Sequence, residues 1–478
     1  MNRTARSIAA AAAAALILVT TPGAWAQQPT SAASTRPNSV PPPVDLGKYL
    51  KPFKPPAEDV DYKPSKLCFQ SNTGNQPIPN KPWGQMQLRL EEAHRFATGA
   101  GVKLAIIDTG VNAGHPRLKG RVTSGGDYVE TEKGGTTDCD GHGTEVAGVA
   151  AASRDEQTGF IGAAPEAEII AYRQTSDHFK FEDPAKVDNR ASAGKVRTLA
   201  EAIVAAATVG AKVINISLTS CEQPHEPSDQ ERELQAAIHW AVNEKDAVIV
   251  TAAGNIGGDG KGCSVQNDNQ NTDTVNVVAS PPWYADNVLS VASMSQRGEV
   301  SGFSVWGPWI SVAAPGEEIT TLDPAGQGLA NVHVDERGAP SRIQGTSYAS
   351  PYVAGVVTLV RQRFPDLDAR QVMDRIKATA QHPGNPGGRD HKVGAGMINP
   401  VAALTAELPA EKGQKAANPT QVMTNLDPIN PPDHTPLIVA LSGTGAGVTL
   451  LLLTLFTVHT VNRNRARRVA TPVKRSVF

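Results

Sequence analysis

The sequence predicts an α/β fold, in which a doubly wound parallel sheet carries helices on both faces and one transmembrane helix follows near the C-terminus. Three observations support it: short apolar runs alternating with helical patterns, polar loops between them, and a long uncharged stretch near the end of the chain. Of the 478 residues, 40% are hydrophobic and 19% are charged, which is typical of a folded globular protein. The formal net charge of −2 gives no reason to expect nucleic acid as a partner.

The parallel sheet is predicted from its individual strands. A helical pattern over 231–243 lies between two of them and completes a strand-helix-strand unit. Polar segments without a clear period are predicted to be loops, at 176–193, 257–273 and 321–342. The predicted strands are short continuous apolar runs, as in sheets buried on both faces, at 102–107, 213–218, 247–251, 288–292 and 309–313.

Residues 1–26 are predicted to be a secretory signal peptide. Arg3 and Arg6 precede a short apolar stretch at 8–19, and Ala24-Trp25-Ala26 places small residues at the cleavage positions. The alternative is an uncleaved N-terminal anchor. In both cases the body of the chain leaves the cytoplasm.

Residues 437–459 are predicted to be a transmembrane helix, because 437–458 carry no charge and are long enough to cross a bilayer. The alternative is a buried core helix. Basic residues follow in the tail 460–478, whereas acidic residues and prolines precede the span, and positive residues stay on the cytoplasmic side. We therefore expect a single-pass cell-membrane protein with an extracytoplasmic, periplasmic body and a cytoplasmic C-terminus.

Three segments lie between the signal peptide and the span: a proline-rich arm at 27–87, a folded domain at 88–408 and a linker at 409–436. Prolines at 41–43 and 55–56 favour extended backbone. The arm is therefore expected to lie on another surface or to act as a linker.

The cysteines indicate disulfides. No C-x-x-C pair and no convincing cluster of oxygen ligands is present, so neither a metal nor a cofactor is predicted. The exported part contains an even number of cysteines, which suggests two bridges in an oxidising compartment: Cys68, Cys139, Cys221 and Cys263.

Three short motifs contain an aspartate, a histidine and a serine in that order. Asp108 belongs to a D-T-G motif at the end of a predicted strand, and His142 lies between two glycines before a helix of small residues. Ser347 follows a Gly-Thr turn that enters a helix predicted over 348–364. A D-T-G motif alone also occurs in aspartic proteases, but that class needs a second copy or a homodimer. A lone histidine or serine is usually structural, so only the three motifs together indicate catalysis.

The three residue types fit nucleophilic catalysis. A serine hydroxyl is a weak nucleophile until a base removes its proton, and histidine does this near neutral pH. A carboxylate holds the imidazole in the right tautomer. Asn255 follows Ala-Ala-Gly after a predicted strand, where its amide is suited to donate a hydrogen bond to an oxyanion.

The ordered motifs D-T-G, G-H-G-T, A-A-G-N and G-T-S-x-A-S-P resemble those of the subtilisin-like serine proteases, the subtilases, over about 88–404. The resemblance implies that Asp108 orients, His142 is the general base and Ser347 is the nucleophile. Asn255 and the Ser347 backbone N–H would form the oxyanion hole. An esterase is disfavoured because the G-x-S-x-G motif is absent.

The resemblance also implies where substrate binds. Thr219 stands where many subtilases have glycine, so we expect a restricted cleft and a narrow substrate range. The implied cleft residues are Ser217, Leu218, Thr219, Ala252, Ala253 and Gly254.

The complete arrangement of signal peptide, proline-rich arm, protease body, linker, span and basic tail resembles the mycosins, the membrane-bound subtilases of mycobacterial type VII secretion systems. Local stretches at 96–102, 138–140 and 361–367 agree. The resemblance implies a protease of exported proteins with membrane components of the secretion complex as partners. The alternative is a structural subunit of that complex in which catalysis is secondary.

Four cysteines allow three pairings. Cys221 with Cys263 is favoured, because each follows the carboxyl end of one of two neighbouring strands. Cys68 would then pair with Cys139 and tie the arm to the loop before His142. We expect the arm to be a stabilising wrap, because it is too rich in proline to fold as a compact inhibitor.

Overall fold

The computed structural model describes residues 38–70, 78–182, 190–257, 263–268, 273–334, 339–413 and 434–469. The chain divides after Leu408 into a body and a C-terminal unit. The predicted signal peptide, most of the predicted linker and the end of the predicted tail lie outside these residues.

The body combines short strands with helices of very different length. Its α-helices, given together with α10 of the C-terminal unit, are α1 Leu46–Tyr49, α2 Trp83–Gln87, α3 Leu90–Ala93, α4 His142–Ala151, α5 Val196–Thr208, α6 Asp229–Asn243, α7 Thr346–Arg363, α8 Ala369–Ala378, α9 Pro400–Thr405 and α10 Thr435–Val469. Its strands are β1 Lys63–Pro64, β2 Lys103–Asp108, β3 Val122–Asp127, β4 Glu168–Arg173, β5 Ser176–Glu182, β6 Arg190–Ala193, β7 Val213–Ile216, β8 Ser220–Glu222, β9 Val248–Ala252, β10 Val278–Ser280, β11 Leu289–Met294, β12 Val312–Pro315, β13 Thr321–Leu322, β14 Leu329–Ala330, β15 Val332–Val334 and β16 Pro340–Arg342.

The central sheet has seven strands in the order β12-β11-β9-β7-β2-β4-β3, and every neighbouring pair is parallel. Every residue of β7 and β9 is buried. Such strands read as continuous apolar runs because both faces are covered. The predicted parallel α/β fold is therefore confirmed.

Helices cover both faces of the sheet. α7 packs along β7, β9 and β11 with α4 beside it, while α5 and α6 form a second pair against β7 and β9. α7 is buried along nearly its whole length. The Ser228 and Glu231 side chains close a capping box at the start of α6, which fixes where that helix begins.

Two of the predicted loops are wrong. Segment 176–193 contains β5 and β6, which pair antiparallel, and β1 of the arm adds a third strand to them. Segment 321–342 contains β13 to β16 as two antiparallel pairs. These strands lie outside the main sheet and lack the apolar runs from which strands were predicted, because β5 and β16 are largely polar and β13, β14 and β15 are only two or three residues long.

The C-terminal unit contains α10. Thr435–Ala466 is long and apolar enough to cross a membrane, and it includes the predicted span 437–459. The helix continues to Val469, so the first part of the predicted tail is helical.

Candidate active site

The four residues predicted for catalysis lie where the sheet meets two helices. Asp108 is the last residue of β2, and Asn255 comes three residues after β9. His142 begins α4, and Ser347 is the second residue of α7. Parallel strands end at the same edge of a sheet, so the strand-borne residues meet the helix starts there.

Asp108 and His142 are hydrogen-bonded. The Asp108 side chain is fully buried, and its Oδ1 lies 2.7 Å from Nδ1 of His142. The same oxygen accepts the backbone N–H of Thr109 at 2.8 Å. A carboxylate in this position holds the proton on Nδ1, which leaves Nε2 as the proton acceptor.

Two glycines let α4 start against the end of β2. A Cβ on Gly143 would collide with the carbonyl oxygen of Gly110 and lie 3.1 Å from Cβ of Asp108. Gly141 has a φ of 91°, which side chains rarely adopt. The G-H-G motif is therefore a requirement for close approach of helix and strand.

Asp138 fixes the loop before His142. It accepts the backbone N–H groups of Gly141 and Thr144 at 2.7 and 2.8 Å. The Thr109 and Thr144 hydroxyls donate to it at 2.9 and 2.7 Å. One half-buried carboxylate thus joins the D-T-G and G-H-G-T motifs.

The electrostatic surroundings favour the charged form of His142, whose side chain is 28% exposed. Burial is the largest influence and lowers its pKa. The charge and hydrogen bond of Asp108, followed by the charges of Glu145 and Asp138, outweigh burial and raise the pKa to about 9. His142 therefore holds a proton more strongly than an ordinary histidine.

Ser347 and Asn255 face a common space. Asn255 Oδ1 accepts the backbone N–H and the hydroxyl of Thr346 at 3.0 and 3.1 Å, so its Nδ2 is directed elsewhere. A Cβ on Gly345 would stand 3.1 Å from Ser347 Oγ and 3.5 Å from Asn255 Nδ2. Glycine thus keeps open the space between hydroxyl and amide. The Ser347 N–H lies in the first helical turn, where backbone donors have no partner within the helix.

A cavity of about 620 Å³ brings these groups together, and His142, Asn255 and Ser347 all line it. Ser217, Leu218, Thr219, Ala252 and Gly254, which are expected to form the substrate cleft, line it too. Ala253 does not: it is fully buried in the core. Successive side chains on extended backbone point to opposite sides, so Ala253 faces away from its neighbours.

The two cleft walls touch across this cavity. The Thr219 hydroxyl donates to the carbonyl oxygen of Ala252 at 2.8 Å. A Cβ on Gly254 would lie 3.2 Å from both Thr219 Cγ2 and Cys263 Sγ. The Ser217 hydroxyl donates to the Ser347 carbonyl at 2.8 Å. Thr219 therefore fills space between the walls.

Comparison with known proteins agrees with this geometry. The model of the Subtilase family matches residues 99–396. Mycosin-1 of Mycolicibacterium smegmatis is 42% identical over 428 residues, which are 86% of this chain and 90% of that protein. The chain belongs to the mycosins, within the subtilase family of serine proteases.

Solved mycosin structures have the same fold. The crystal structure of MycP1 from the ESX-1 type VII secretion system is 42% identical, with a TM-score of 0.69 over 77% of this chain and 97% of that one. A chain in the structure of an intact ESX-5 inner membrane complex is 36% identical, with a TM-score of 0.71 over 88% of this chain and 99% of that one.

Both disulfides of this mycosin have the favoured pairing. Cys68 joins Cys139 and Cys221 joins Cys263, with Cα atoms 4.5 and 5.1 Å apart. The first bridge attaches the arm three residues before His142. The arm also contributes Lys66 to the cavity lining.

Two residues at or behind the cavity, Lys66 and Glu145, were not predicted from the sequence. Lys66 lies two residues before Cys68, and the pairing of β1 with β5 together with the Cys68–Cys139 bridge brings it to the cavity. Glu145 does carry a signal, since it is the one charged residue in the otherwise small and apolar α4 after His142. Its position three residues after His142 could have marked it as part of the site.

Possible metal ligands lie elsewhere. Within the ranges that the structure describes, Glu222, His225 and Glu231 form the one cluster with suitable spacing. Glu231 already accepts the N–H and hydroxyl of Ser228 in the α6 cap. None of the three lines the cavity.

Proposed function

We propose that the protein is a membrane-anchored serine endopeptidase that cleaves a narrow set of exported proteins in association with a type VII secretion system. Asp108, His142 and Ser347 form its triad. The observation that carries the proposal is the 2.7 Å Asp108–His142 hydrogen bond at a cavity that Ser347 and Asn255 also line.

The reaction follows from these positions. Ser347 Oγ attacks the substrate carbonyl while His142 Nε2 takes its proton, and Asp108 stabilises the imidazolium. Asn255 Nδ2 and the Ser347 N–H stabilise the oxyanion. His142 then gives the proton to the leaving amine, and water hydrolyses the acyl-enzyme by the same steps.

A narrow substrate range is supported by the cleft walls. The Thr219 hydroxyl bonds to the Ala252 carbonyl, and its methyl group lies near Gly254. A glycine at position 219 would leave this space open. The Cys221–Cys263 bridge stands behind that contact. Both features reduce the room for substrate side chains.

The membrane assignment is supported by α10. Its apolar helix and the basic residues after it favour a single span with an extracytoplasmic body and a cytoplasmic tail. The related chain in the ESX-5 inner membrane complex supports membrane components of such a complex as partners. Exported proteins would reach the cleft on the same side.

The arm acts as a stabilising wrap in this proposal. Asp59 pairs with Lys195 at 2.7 Å, and the Pro42 carbonyl accepts a hydrogen bond from Gln235. The Cys68–Cys139 bridge closes a separation of 71 residues. Replacing both cysteines with serine should therefore reduce the free energy of unfolding by roughly 2–5 kcal/mol, measured by denaturant titration. An unchanged value would contradict the wrap.

A structural role in the secretion complex is the second candidate, favoured by the likeness to a chain within the ESX-5 complex. A strain lacking this protein is complemented with wild type or Ser347→Ala at equal levels, and the N-termini and amounts of exported proteins are measured. We expect new N-termini with wild type alone. Identical N-termini in both strains would contradict the endopeptidase, and export restored by Ser347→Ala would show an additional structural role.

A further inference from the structure

Glu145 is a buried carboxylate that the triad and the oxyanion hole do not use. It lies in the first turn of α4, and its side chain is 2% exposed. His333 Nε2 lies 2.6 Å from Oε1, and the Tyr348 hydroxyl donates to Oε2 at 2.6 Å. A buried carboxylate is costly unless its oxygens are hydrogen-bonded, and these two partners satisfy that need.

Tyr348 connects this carboxylate to the imidazole. It follows Ser347 in α7, and its ring centroid lies 5.4 Å from that of His142 at an angle of 59°. Burial, and then the charge of Glu145, raise the pKa of Tyr348 well above its usual value. Its hydroxyl therefore remains protonated and donates to Glu145, which fixes the ring beside the imidazole.

His333 connects the carboxylate to the outside of the body. It lies on β15, and its ring packs edge-on against Phe69 of the arm at 6.1 Å. The Phe69 N–H donates to the Cys139 carbonyl at 2.8 Å, beside the disulfide. Phe69 also approaches the Cβ position of Gly141, directly before His142. The arm and the β15–β16 pair thus enclose the same side of the site.

We propose that Glu145 is a positioning residue for His142: it holds Tyr348 against the imidazole and adds negative charge behind it. His333 is the second hydrogen-bond partner of the Glu145 carboxylate. The inference rests on the proposed function, because it assigns Glu145 a role toward the proposed general base.

Other charged or titratable side chains also lie around His142 and contribute to its surroundings. Asp108 approaches from β2, Asp138 and Asp140 from the loop before α4, and Tyr348 from α7. His178 of β5 lies 4.0 Å from Asp140, and Lys66 of the arm lines the cavity.

Glu145 is the carboxylate that can be neutralised most cleanly. The side chain of Asp138 holds backbone N–H groups, and Asp108 belongs to the triad. The Glu145 carboxylate is bound by two side chains, so glutamine removes its charge while keeping its size.

The test uses the full chain in detergent micelles and two readouts. The His142 Nδ1 proton is followed by low-field proton NMR as a function of pH, and kcat/KM is measured with a peptide substrate over the same range. Glu145→Gln should lower the pH midpoint of both by about one unit, because a negative charge near the imidazole is lost. Tyr348→Phe keeps that charge, so it should lower kcat without lowering the midpoint.

An unchanged NMR midpoint in Glu145→Gln, or the same downward shift in Tyr348→Phe, would overturn the proposal. Glu145→Asp provides a second test if Glu145→Gln does not fold. It keeps the negative charge but shortens the side chain that holds Tyr348, so it should lower kcat without lowering the midpoint, and an unchanged kcat would overturn the proposal. The NMR titration needs no proteolysis, so failure of the proposed function would appear separately, as absent peptide cleavage by the wild type.

Discussion

The two sides of the cleft are built from different chemistry. The side that carries the proposed base, His142, is crowded with carboxylates: Asp108, Asp138 and Glu145 act on its imidazole, and Asp140 lines the same cavity. Asp108 and Glu145 are almost completely buried. Charge in such surroundings is screened less than charge at the surface, so the carboxylates on this side set the proton affinity of His142.

The side that carries the proposed nucleophile, Ser347, is held by uncharged groups. Thr346 donates to Asn255 Oδ1, its hydroxyl accepts the Gly254 N–H at 3.1 Å, and Ser217 donates to the Ser347 carbonyl. These bonds fix where donors point without adding charge. The difference teaches that changes on the base side should alter pH dependence, whereas changes on the nucleophile side should alter rate at every pH.

The largest effect should come from Asp108→Asn. The asparagine cannot hold the Nδ1 proton as a carboxylate does, so kcat should fall by about 10⁴. Peptide cleavage measured beside the thermal unfolding temperature checks this. A loss of less than tenfold in a variant of unchanged stability would show that Asp108 does not orient His142.

Asn255→Ala should come next. Removal of one oxyanion donor lowers kcat by about 10²–10³. Because no charge near His142 changes, the pH midpoint of kcat/KM should stay within error of the wild type. A shifted midpoint would break the contrast between the two sides.

The wild-type pH profile is the third prediction. His142 must be neutral to accept the proton, and its pKa is raised from 6.5 to about 9. Activity should therefore rise about tenfold per pH unit below that midpoint, and the rise should continue well above pH 6.5. A stopped peptide assay between about pH 5 and about pH 10 measures this rise, because that range covers both an ordinary histidine pKa and the raised one. A plateau reached by pH 7 would mean that the carboxylates do not act on the base.

The smallest effect should come from Thr219→Gly. Opening the space between Thr219, Ala252 and Gly254 should raise kcat/KM several-fold for peptides with bulky side chains before the cleaved bond. Thr219→Ser is the matched control, because it keeps the hydroxyl that bonds the Ala252 carbonyl. Equal selectivity between bulky and small substrate side chains in both variants would show that the size of the Thr219 side chain does not narrow the cleft.

Features that depend on a local sequence pattern could be predicted from the sequence. The strands β2, β7 and β9 are mostly apolar runs, Asp108 ends β2 and Asn255 follows β9, so the parallel sheet and the placement of these residues were predictable.

What depends on contacts between distant segments was not predictable. β5 forms a sheet with β1 and β6, and its polar, half-exposed residues resemble a loop. Glu145 meets His333 and Tyr348 from positions 188 and 203 residues away along the chain. No spacing rule covers such separations, so the pairing emerges only when α4, α7 and β15 are packed.

The most direct test of the central claim is labelling of the full chain in detergent with a fluorophosphonate probe, which reacts with an activated serine. We expect labelling at Ser347, none in Ser347→Ala, and labelling slowed by about 10²–10³ in Asn255→Ala. Labelling that persists in Ser347→Ala, or a folded wild-type chain that does not react, would contradict a triad of Asp108, His142 and Ser347.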